Sequence, residues 1–247
     1  MVFDLREKVA LVTGGAGGIG EEVVKLLRTH GARVASVDLA EHKEPADDTF
    51  LPLKASIASE DDCNSAIQKV IIHWGRIDIL VNNAGVMDNM AGVADTSNKL
   101  WQLVIDVNLN GPMYLMRSAI PLMQKNLEEH KGVIVNVASV SALRGAVSGA
   151  AYSTAKAGLA ALGRNTAWVY RHEGIRCSTV MPGGVVTNII KNSNAKYDKR
   201  DIPQKQCHDC MPGMVSALDV AEGILYLITA TGVNGEELVI DRGWMMA

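Results

Sequence analysis

The sequence of 247 residues has few aromatic residues, few cysteines and no excess of positive charge. Phe, Trp and Tyr make up 4% of the chain, and the formal net charge is −3. Proteins that bind nucleic acids need basic residues for the phosphates or aromatic rings for the bases, so we expect no nucleic-acid partner. Four cysteines are too few for a disulfide framework in a chain of this length, which indicates a reducing compartment such as the cytoplasm.

Long apolar runs are missing as well. No run approaches the roughly 18 apolar residues that a membrane-spanning helix requires, so we expect no membrane partner. Residues 4–8 (DLREK) carry four charges ahead of the first apolar run, which is not the pattern of a secretory signal. Together these absences predict a soluble cytoplasmic protein.

A recognisable pattern of metal ligands is also missing. The segment CHDC, Cys207 to Cys210, has the spacing of half a zinc site, but no second pair of cysteines or histidines accompanies it. We therefore interpret these cysteines as free thiols and predict no metal site.

The chain does contain a regular alternation of strand and helix patterns. Several β-rich runs are apolar on both faces, as parallel strands between two layers of helices must be. The alternation predicts one α/β domain over residues 1–247, with a doubly wound parallel sheet of about seven strands. Residues 188–214 are polar and lack clear periodicity, and so long a connection favours a substrate lid. The predicted strands are KVALVT, ARVASVD, TFLPLKA, IDILVNNAG, GVIVNVAS, IRCSTVMPG and EELVID.

A glycine-rich turn, GGAGGIG, lies where the first predicted strand ends and a helix begins. Glycine loses more conformational entropy on folding than any other residue, so five glycines indicate that a ligand must approach the backbone. The N–H groups at a helix N-terminus favour a phosphate, and glycines let a pyrophosphate come close. We therefore predict that a dinucleotide binds at Gly14, Gly18, Ile19 and Gly20.

Asp38 ends the second predicted strand, 18 positions after Gly20. A carboxylate here accepts hydrogen bonds from the ribose hydroxyls of NAD and repels the 2′-phosphate of NADP. Leu39 follows where a basic residue would help a 2′-phosphate, and the glycine turn contains no Lys or Arg. The sequence therefore predicts NAD(H) in preference to NADP(H), with His42 and Lys43 close enough to keep NADP(H) as the alternative.

Tyr152 and Lys156 are four residues apart at the start of a helical pattern, so their side chains fall on one face. An ammonium about 5 Å from a tyrosine hydroxyl favours the phenolate by roughly 3 kcal/mol at an effective dielectric constant of ~20. The spacing thus predicts that the pKa of Tyr152 lies about 2 below its reference near 10, as a general acid or base requires. Ser139, at a strand end, could bind the same substrate oxygen. The alternative is a surface pair, because this spacing is common by chance.

Six motifs in order resemble those of the short-chain dehydrogenase/reductase family, and the resemblance covers nearly the whole chain. They are TGGAGGIG, NNAG, VNLNG with Asn108, Ser139, YSTAK with Tyr152 and Lys156, and PGGVVT. The resemblance implies a Rossmann-type fold in which Tyr152 donates or accepts the proton and Lys156 binds the nicotinamide ribose. It also implies that Ser139 orients the substrate oxygen and that Asn108 holds a water of the proton relay.

The resemblance implies further contacts with the cofactor. In the family an Asp commonly ends the third strand and touches adenine, whereas this chain has Ser56 followed by Ile57, which weakens that contact. Besides Tyr152, Lys156, Leu39 and these two positions, the expected cofactor contacts are Asn83, Ala84 and Gly85 near the adenosine ribose, and Pro182, Gly183, Val185 and Thr187 near the nicotinamide.

The sequence also gives expectations for the substrate pocket and for the assembly. The residues that we expect to face the substrate are Ser141, Leu143, Met211 and Met214, and they indicate a moderately apolar small molecule. In the family the helix after the catalytic tyrosine belongs to a subunit interface, which implies a homo-oligomer, a tetramer or a dimer.

The sequence therefore predicts an NAD(H)-dependent oxidoreductase that interconverts a secondary alcohol and a ketone by hydride transfer, with Tyr152 as general acid or base. Within the same fold, the alternatives are an NADPH-dependent biosynthetic ketoreductase, similar to a 3-oxoacyl reductase, and an NAD-assisted reaction without net oxidation. A cofactor-binding module without turnover is the alternative from another class.

Overall fold

The computed structural model describes residues 4–186 and 202–246, with side chains from residue 205 onward in the second range. Most of the strands in these residues are followed by an α-helix. The strands are β1 Val9–Thr13, β2 Arg33–Asp38, β3 Phe50–Lys54, β4 Ile79–Asn82, β5 Gly132–Val137, β6 Ile175–Pro182 and β7 Glu237–Ile240. The helices are α1 Gly18–Thr29, α2 Glu60–Trp74, α3 Asn98–Ile105, α4 Gly111–Met123, α5 Ala150–Val169, α6 Ile202–Asp209 and α7 Ala217–Thr229.

The seven strands form one sheet in the order β3-β2-β1-β4-β5-β6-β7, and every paired neighbour is parallel. The chain builds outward from β1 through β2 to β3 and then returns to the other side of β1 with β4. The direction of winding therefore reverses between β1 and β4, where the carboxyl ends of the strands open a crevice. The predicted doubly wound parallel sheet of about seven strands is confirmed.

Both faces of the sheet are covered by helices. In β1, Ala10 and Val12 pack into an apolar cluster with α1 and α7. The intervening residues Val9 and Leu11 point to the opposite face and pack with α2 and α4. Successive side chains of a strand alternate between faces, and a parallel strand between two helical layers must therefore be apolar throughout, which explains the continuous apolar runs.

Helix ends are fixed by local capping. Ser59 precedes α2 and accepts a hydrogen bond from the N–H of Asp62 at 3.2 Å, and Gly75 ends the helix in the left-handed region. The helix α7 begins with a capping box, in which Ser216 and Asp219 each accept from the other's backbone N–H, at 3.0 and 2.8 Å.

Two elements differ from the sequence-based expectation or refine it. A π-helical turn, Asp106–Asn110, joins α3 to α4. The helix α6, Ile202–Asp209, lies inside the segment 188–214, where the sequence shows no clear periodicity. Partly buried Cys207 packs there against buried Val140 and Trp244, and these tertiary contacts give the helix a face that its sequence periodicity does not show. Nowhere in the described ranges is a helix long and apolar enough to cross a membrane.

Candidate active site

The glycine turn packs against the segment that follows β4. A Cβ on Gly14 would lie 2.9 Å from the Cα of Ala84 and 2.9 Å from the side-chain nitrogen of Asn83, and Gly14 has a φ of +69°. A Cβ on Gly20 would lie 2.1 Å from the carbonyl oxygen of Gly14. Glycine is therefore required at both positions for close packing, and at Gly14 also for its backbone conformation.

The N-terminus of α1 presents N–H groups beside a carboxylate. The N-cap residue is Gly17, and no side-chain hydrogen bond caps this helix end in the described structure. Asp38 accepts from the N–H of Ala16 at 3.0 Å and from the N–H of Ala40 at 2.9 Å, which places it beside the turn with lone pairs to spare. This donor and acceptor set fits the pyrophosphate and the ribose of a dinucleotide.

The residues expected near adenine have unequal access to the crevice. The N–H of Ser56 donates to the carboxylate of Asp62 at 3.0 Å, and Ser56 itself is half-buried. The side chain of Ile57 packs in the core beside α2 and α4, so only its backbone is left for a cofactor. Leu39 is 67% exposed.

Four predicted catalytic side chains lie together beyond the carboxyl end of β5. Ser139 lies within reach of the Tyr152 hydroxyl, where a hydrogen bond from the serine would favour the phenolate. Lys156 lies one helical turn after Tyr152, with its Nζ 5.5 Å from the centre of the tyrosine ring and 2.8 Å from the carbonyl oxygen of Val137. All of these side chains, with Asn108, are buried to 9% exposure or less.

Gly85 connects this cluster to the cofactor side of the crevice. A Cβ on Gly85 would lie 2.7 Å from Oδ1 of Asn108 and 3.5 Å from Nζ of Lys156. The segment after β4 therefore lies against two of the predicted catalytic side chains, and the absence of a side chain at Gly85 leaves them room.

Burial dominates the electrostatics of the cluster. Desolvation lowers the pKa of Lys156 to about 7, because the ammonium loses its hydration shell. Desolvation also raises the pKa of Tyr152 above its usual value, and the Asp88 carboxylate raises it further, against the opposing effect of the Ser139 hydrogen bond. The prediction that Lys156 lowers the pKa of Tyr152 below 10 is therefore wrong. Spacing along the helix gives the distance between the two groups but not the burial of either.

Asn108 lies in the π-helical turn, and its side chain holds the loop after β4. Its Nδ2 donates to the carbonyl oxygens of Val86 and Val104, both at 2.9 Å, and its Oδ1 accepts from the N–H of Val86 at 3.2 Å. Both Nδ2 protons are thus in use, so a relay water would have to bind to the remaining lone pair of Oδ1 or to the backbone. Single π turns occur frequently at functional sites.

The segment after β6 forms the expected nicotinamide end of the crevice. Pro182 is the last residue of β6, and the N–H of Gly183 donates to the carbonyl of Ile240 at 2.9 Å. Val185 is buried and pairs with Val215 in an isolated parallel bridge. Thr187 lies outside the described residues.

The expected substrate residues lie on both sides of the crevice. The hydroxyl of Ser141 is 3.1 Å from that of Ser139 and is buried, whereas Leu143 is 49% exposed. A Cβ on Gly184 would lie 2.6 Å from the sulfur of Met211 and 2.7 Å from that of Met214, so both methionines pack over the segment after β6.

Two residues that the sequence did not single out attach α6 to this site. His208 lies 2.8 Å from the carbonyl of Val147 through Nε2, and Trp244 donates from Nε1 to the carbonyl of Cys207 at 2.8 Å. The rings of His208 and Trp244 also meet edge to face. No motif marks these residues, because each contact joins segments far apart in the chain. Cys207 and Cys210 are free thiols, and no potential metal-binding cluster of His, Cys, Asp and Glu occurs among the described residues.

Comparison with known proteins identifies similar sequences and folds. The model of the family described as short chain dehydrogenase matches residues 8–198. Short chain dehydrogenase adrF of Penicillium rubens is 34% identical over 257 residues, which cover 97% of this chain and 98% of that protein. The 3beta-hydroxysteroid dehydrogenase 2 of Eggerthella lenta is 32% identical, with 97% and 95% covered.

A solved structure shows the same fold. The 3-ketoacyl-(acyl-carrier-protein) reductase from Brucella melitensis, crystallised with NADH, superposes with a TM-score of 0.86 over 97% of this chain and 99% of that chain, at 27% identity.

Proposed function

We propose a reaction for this chain from the premise that it belongs to the short-chain dehydrogenase family and is an oxidoreductase. The reaction is reversible hydride transfer between NAD(H) and a secondary alcohol or ketone. One observation carries the proposal. The buried side chains of Tyr152, Ser139 and Lys156 lie together at the edge of the crevice whose other side is the glycine turn.

The side chains supply the proton transfer and the orientation of the substrate. In oxidation, the deprotonated oxygen of Tyr152 takes the proton of the substrate hydroxyl, and the carbon–oxygen bond becomes a carbonyl as hydride leaves the carbon. The hydroxyl of Ser139 donates to the same substrate oxygen while its charge changes. NAD⁺, when bound, would supply the acceptor for the hydride. Asn108 holds the neighbouring loop, and Lys156 lies where a cofactor ribose would meet it.

Lys156 can change its protonation state near neutral pH, because burial lowers its pKa to about 7. A protonated Lys156 beside Tyr152 favours the phenolate, and a neutral one can receive a proton from the ribose side. The low lysine pKa therefore suits a relay that carries the substrate proton away from Tyr152, as oxidation requires.

NAD(H) is the cofactor that the adenosine end favours. The Asp38 carboxylate would lie where NADP carries its 2′-phosphate. The ring of His42 is within 3.0 Å of the carbonyl of Ser36 through Nε2 and packs on Phe50, which turns it toward the protein. NADPH-dependent ketone reduction is the second candidate function. The reductase of similar fold is named for the reduction of a 3-ketoacyl group, although its structure contains NADH.

For the substrate, we propose a secondary alcohol on an apolar ring skeleton. Leu143 lies on the loop after β5, and Met211 and Met214 pack over Gly184 after β6, so these two segments carry apolar side chains. A relative that is 32% identical over nearly its full length is named for a 3β-hydroxysteroid, which has such a skeleton.

The test of this function is turnover by wild type and Tyr152→Phe. We expect wild type to reduce NAD⁺ with 3β-hydroxysteroids or cyclohexanols and the variant to lose at least about 1,000-fold in kcat, because the proton acceptor is gone. Kd for NADH, measured by fluorescence titration, should stay within about twofold. Tyr226→Phe, which changes an exposed tyrosine on α7, is the control. Unchanged turnover in Tyr152→Phe would contradict the mechanism, and NADH binding without turnover by wild type would favour the binding-module alternative.

A further inference from the structure

The amino end of α5, which carries Tyr152, is capped by a distant part of the chain. Its N-cap residue is Gly149, and Asp88 supplies the missing acceptors from the loop after β4. Oδ1 of Asp88 accepts from the N–H of Gly149 at 3.1 Å, and Oδ2 accepts from the N–H of Tyr152 at 2.9 Å. The carbonyl of Ala91 accepts from the N–H of Ala150 at 2.9 Å. Three N–H groups at this helix end therefore bind to one loop.

Burial and three hydrogen bonds hold the Asp88 carboxylate in place. It is 3% exposed, and its Oδ1 also accepts from the N–H of Met90 at 3.1 Å. All three hydrogen bonds come from N–H donors, which suits a carboxylate, and a helix N-terminus favours a negative charge. Met90 is buried with a φ of +65°, a conformation that a non-glycine residue keeps only where its surroundings fix it.

The backbone of Gly149 packs closely against the carboxylate of Asp88. A Cβ on Gly149 would lie 2.5 Å from Oδ2 of Asp88, and the three nearest atoms all belong to that carboxylate. The backbone of Gly149, with a φ of −77°, is open to any residue. The Asp88 carboxylate therefore excludes a side chain at this position.

The same loop is anchored at its other end by Asn108, which binds both the N–H and the carbonyl of Val86. The segment from Val86 to Ala91 is thus held between Asn108 and the amino end of α5. A shift of this segment would move Tyr152 relative to Ser139, which belongs to a different loop.

We propose that Asp88 is a positioning residue, which sets the place of the Tyr152 hydroxyl by capping α5 from the loop after β4. Its role in turnover depends on the proposed function, whereas the cap itself does not. Tyr152 is the third helical residue, so the hydrogen bond from its own backbone N–H to Asp88 fixes the segment from which its side chain extends. A displacement of about 1 Å at a reacting group can lower a rate about 100-fold.

The first experiment uses Asp88→Ala and Asp88→Asn. Asparagine has one acceptor oxygen, so either Tyr152 or Gly149 loses its partner, and this variant retains a side chain of the same size if alanine does not fold. We expect hydrogen exchange at the Tyr152 amide to accelerate at least about tenfold without any substrate. With NAD⁺ and the alcohol turned over by wild type, kcat should fall about 10- to 100-fold while the KM for NAD⁺ stays within about twofold.

The matched control is Asp219→Ala, which removes the exposed capping carboxylate of α7. We expect Asp219→Ala to lose about as much in Tm as Asp88→Ala, but its kcat should stay within about twofold of wild type. The second control is a double-mutant cycle. Gly149→Ala should lower kcat in wild type and have little further effect in Asp88→Ala, because the alanine methyl group then meets no carboxylate.

The outcomes separate the cap, its role in catalysis and the proposed function. Unchanged exchange at the Tyr152 amide in both Asp88 variants would overturn the cap. Faster exchange with unchanged kcat, or an equal loss of kcat in Asp219→Ala, would overturn the positioning role. If wild type turned over no alcohol, the positioning role would fail with the proposed function, while amide exchange would still decide the cap.

Discussion

Lys156 is buried between α5 and the end of β5, where its Nζ donates to the Val137 carbonyl. Because burial lowers its pKa from 10.5 to about 7, the unfolded chain binds a proton between these pH values that the folded chain does not. The free energy of unfolding contributed by this group therefore rises with pH over that window. The charged form is the unfavourable one, so the penalty is fully present below pH 7.

Lys156→Met should remove this pH dependence. We expect the Tm of the cofactor-free variant to exceed that of wild type at pH 7 by about 5 °C or more, and the difference to shrink as the pH rises toward 10. Thermal unfolding of both proteins across this range measures it. Lys25→Met, which changes an exposed lysine paired with Glu21 and Glu22, is the control and should show no such trend. Parallel curves for wild type and Lys156→Met would show that Lys156 stays charged on folding.

Asp38→Ala should relax the choice of cofactor. We expect Kd for NADH to rise about tenfold, because two ribose hydrogen bonds are lost, and Kd for NADPH to fall, because a charge repulsion is removed. Fluorescence titration with both nucleotides measures the ratio. Glu41→Ala removes an exposed carboxylate that pairs with Lys54 and should leave the ratio unchanged. A wild type that binds NADPH more tightly would show that another residue overrides Asp38.

At the scale of elements, the π-helical turn between α3 and α4 depends on close packing. Gly111 begins α4, and a Cβ on it would lie 2.5 Å from the carbonyl oxygen of Ile57. Its φ of −56° is helical, so packing rather than conformation requires glycine. The turn places Asn108 toward the loop after β4, and the position of α4 therefore bears on the catalytic cluster.

Gly111→Ala should displace this junction. We expect the free energy of unfolding to fall by about 1–3 kcal/mol, as for other overpacked sites, and kcat to fall with it because Asn108 moves. Urea unfolding and steady-state kinetics measure the two effects. Gly232→Ala is the matched control, because a Cβ there has no neighbour within 4 Å. Equal stability of the two variants would contradict the packing argument.

At the scale of the whole molecule, large apolar side chains are exposed on the helices that cover the sheet. Trp168 on α5 is 67% exposed, and Tyr226 on α7 is 53% exposed. We predict that Trp168 and Tyr226 belong to the interface of the expected homo-oligomer.

Light scattering of the purified protein should therefore give a mass of two or four times 26.5 kDa. Trp168→Lys and Tyr226→Lys should each shift the assembly toward smaller species, because a charge replaces an apolar contact. A wild-type mass of a single chain would contradict the expectation. The exposed Leu127→Lys, outside both helices, serves as a control.

The sheet, the position of the glycine turn and the pattern of predicted catalytic residues follow from the sequence alone. These depend on local features: apolar runs make buried strands, a glycine cluster after a strand allows a tight turn, and a spacing of four places Tyr152 and Lys156 on one helix face. Asp38 also follows from its place at the end of β2. Chain order and local periodicity are sufficient for each of these predictions.

The pKa values of the site and the hydrogen bonds that hold its loops depend on tertiary contacts. The burial of Tyr152 raises its pKa and that of Lys156 lowers its pKa, and the sequence does not show which segments bury them, so the predicted shift of Tyr152 had the wrong sign. Asp88 lies 64 residues before Tyr152, and His208 lies 61 residues after Val147. No periodicity links such pairs, because hydrogen bonds between distant segments exist only once the sheet has brought the loops at its carboxyl edge together.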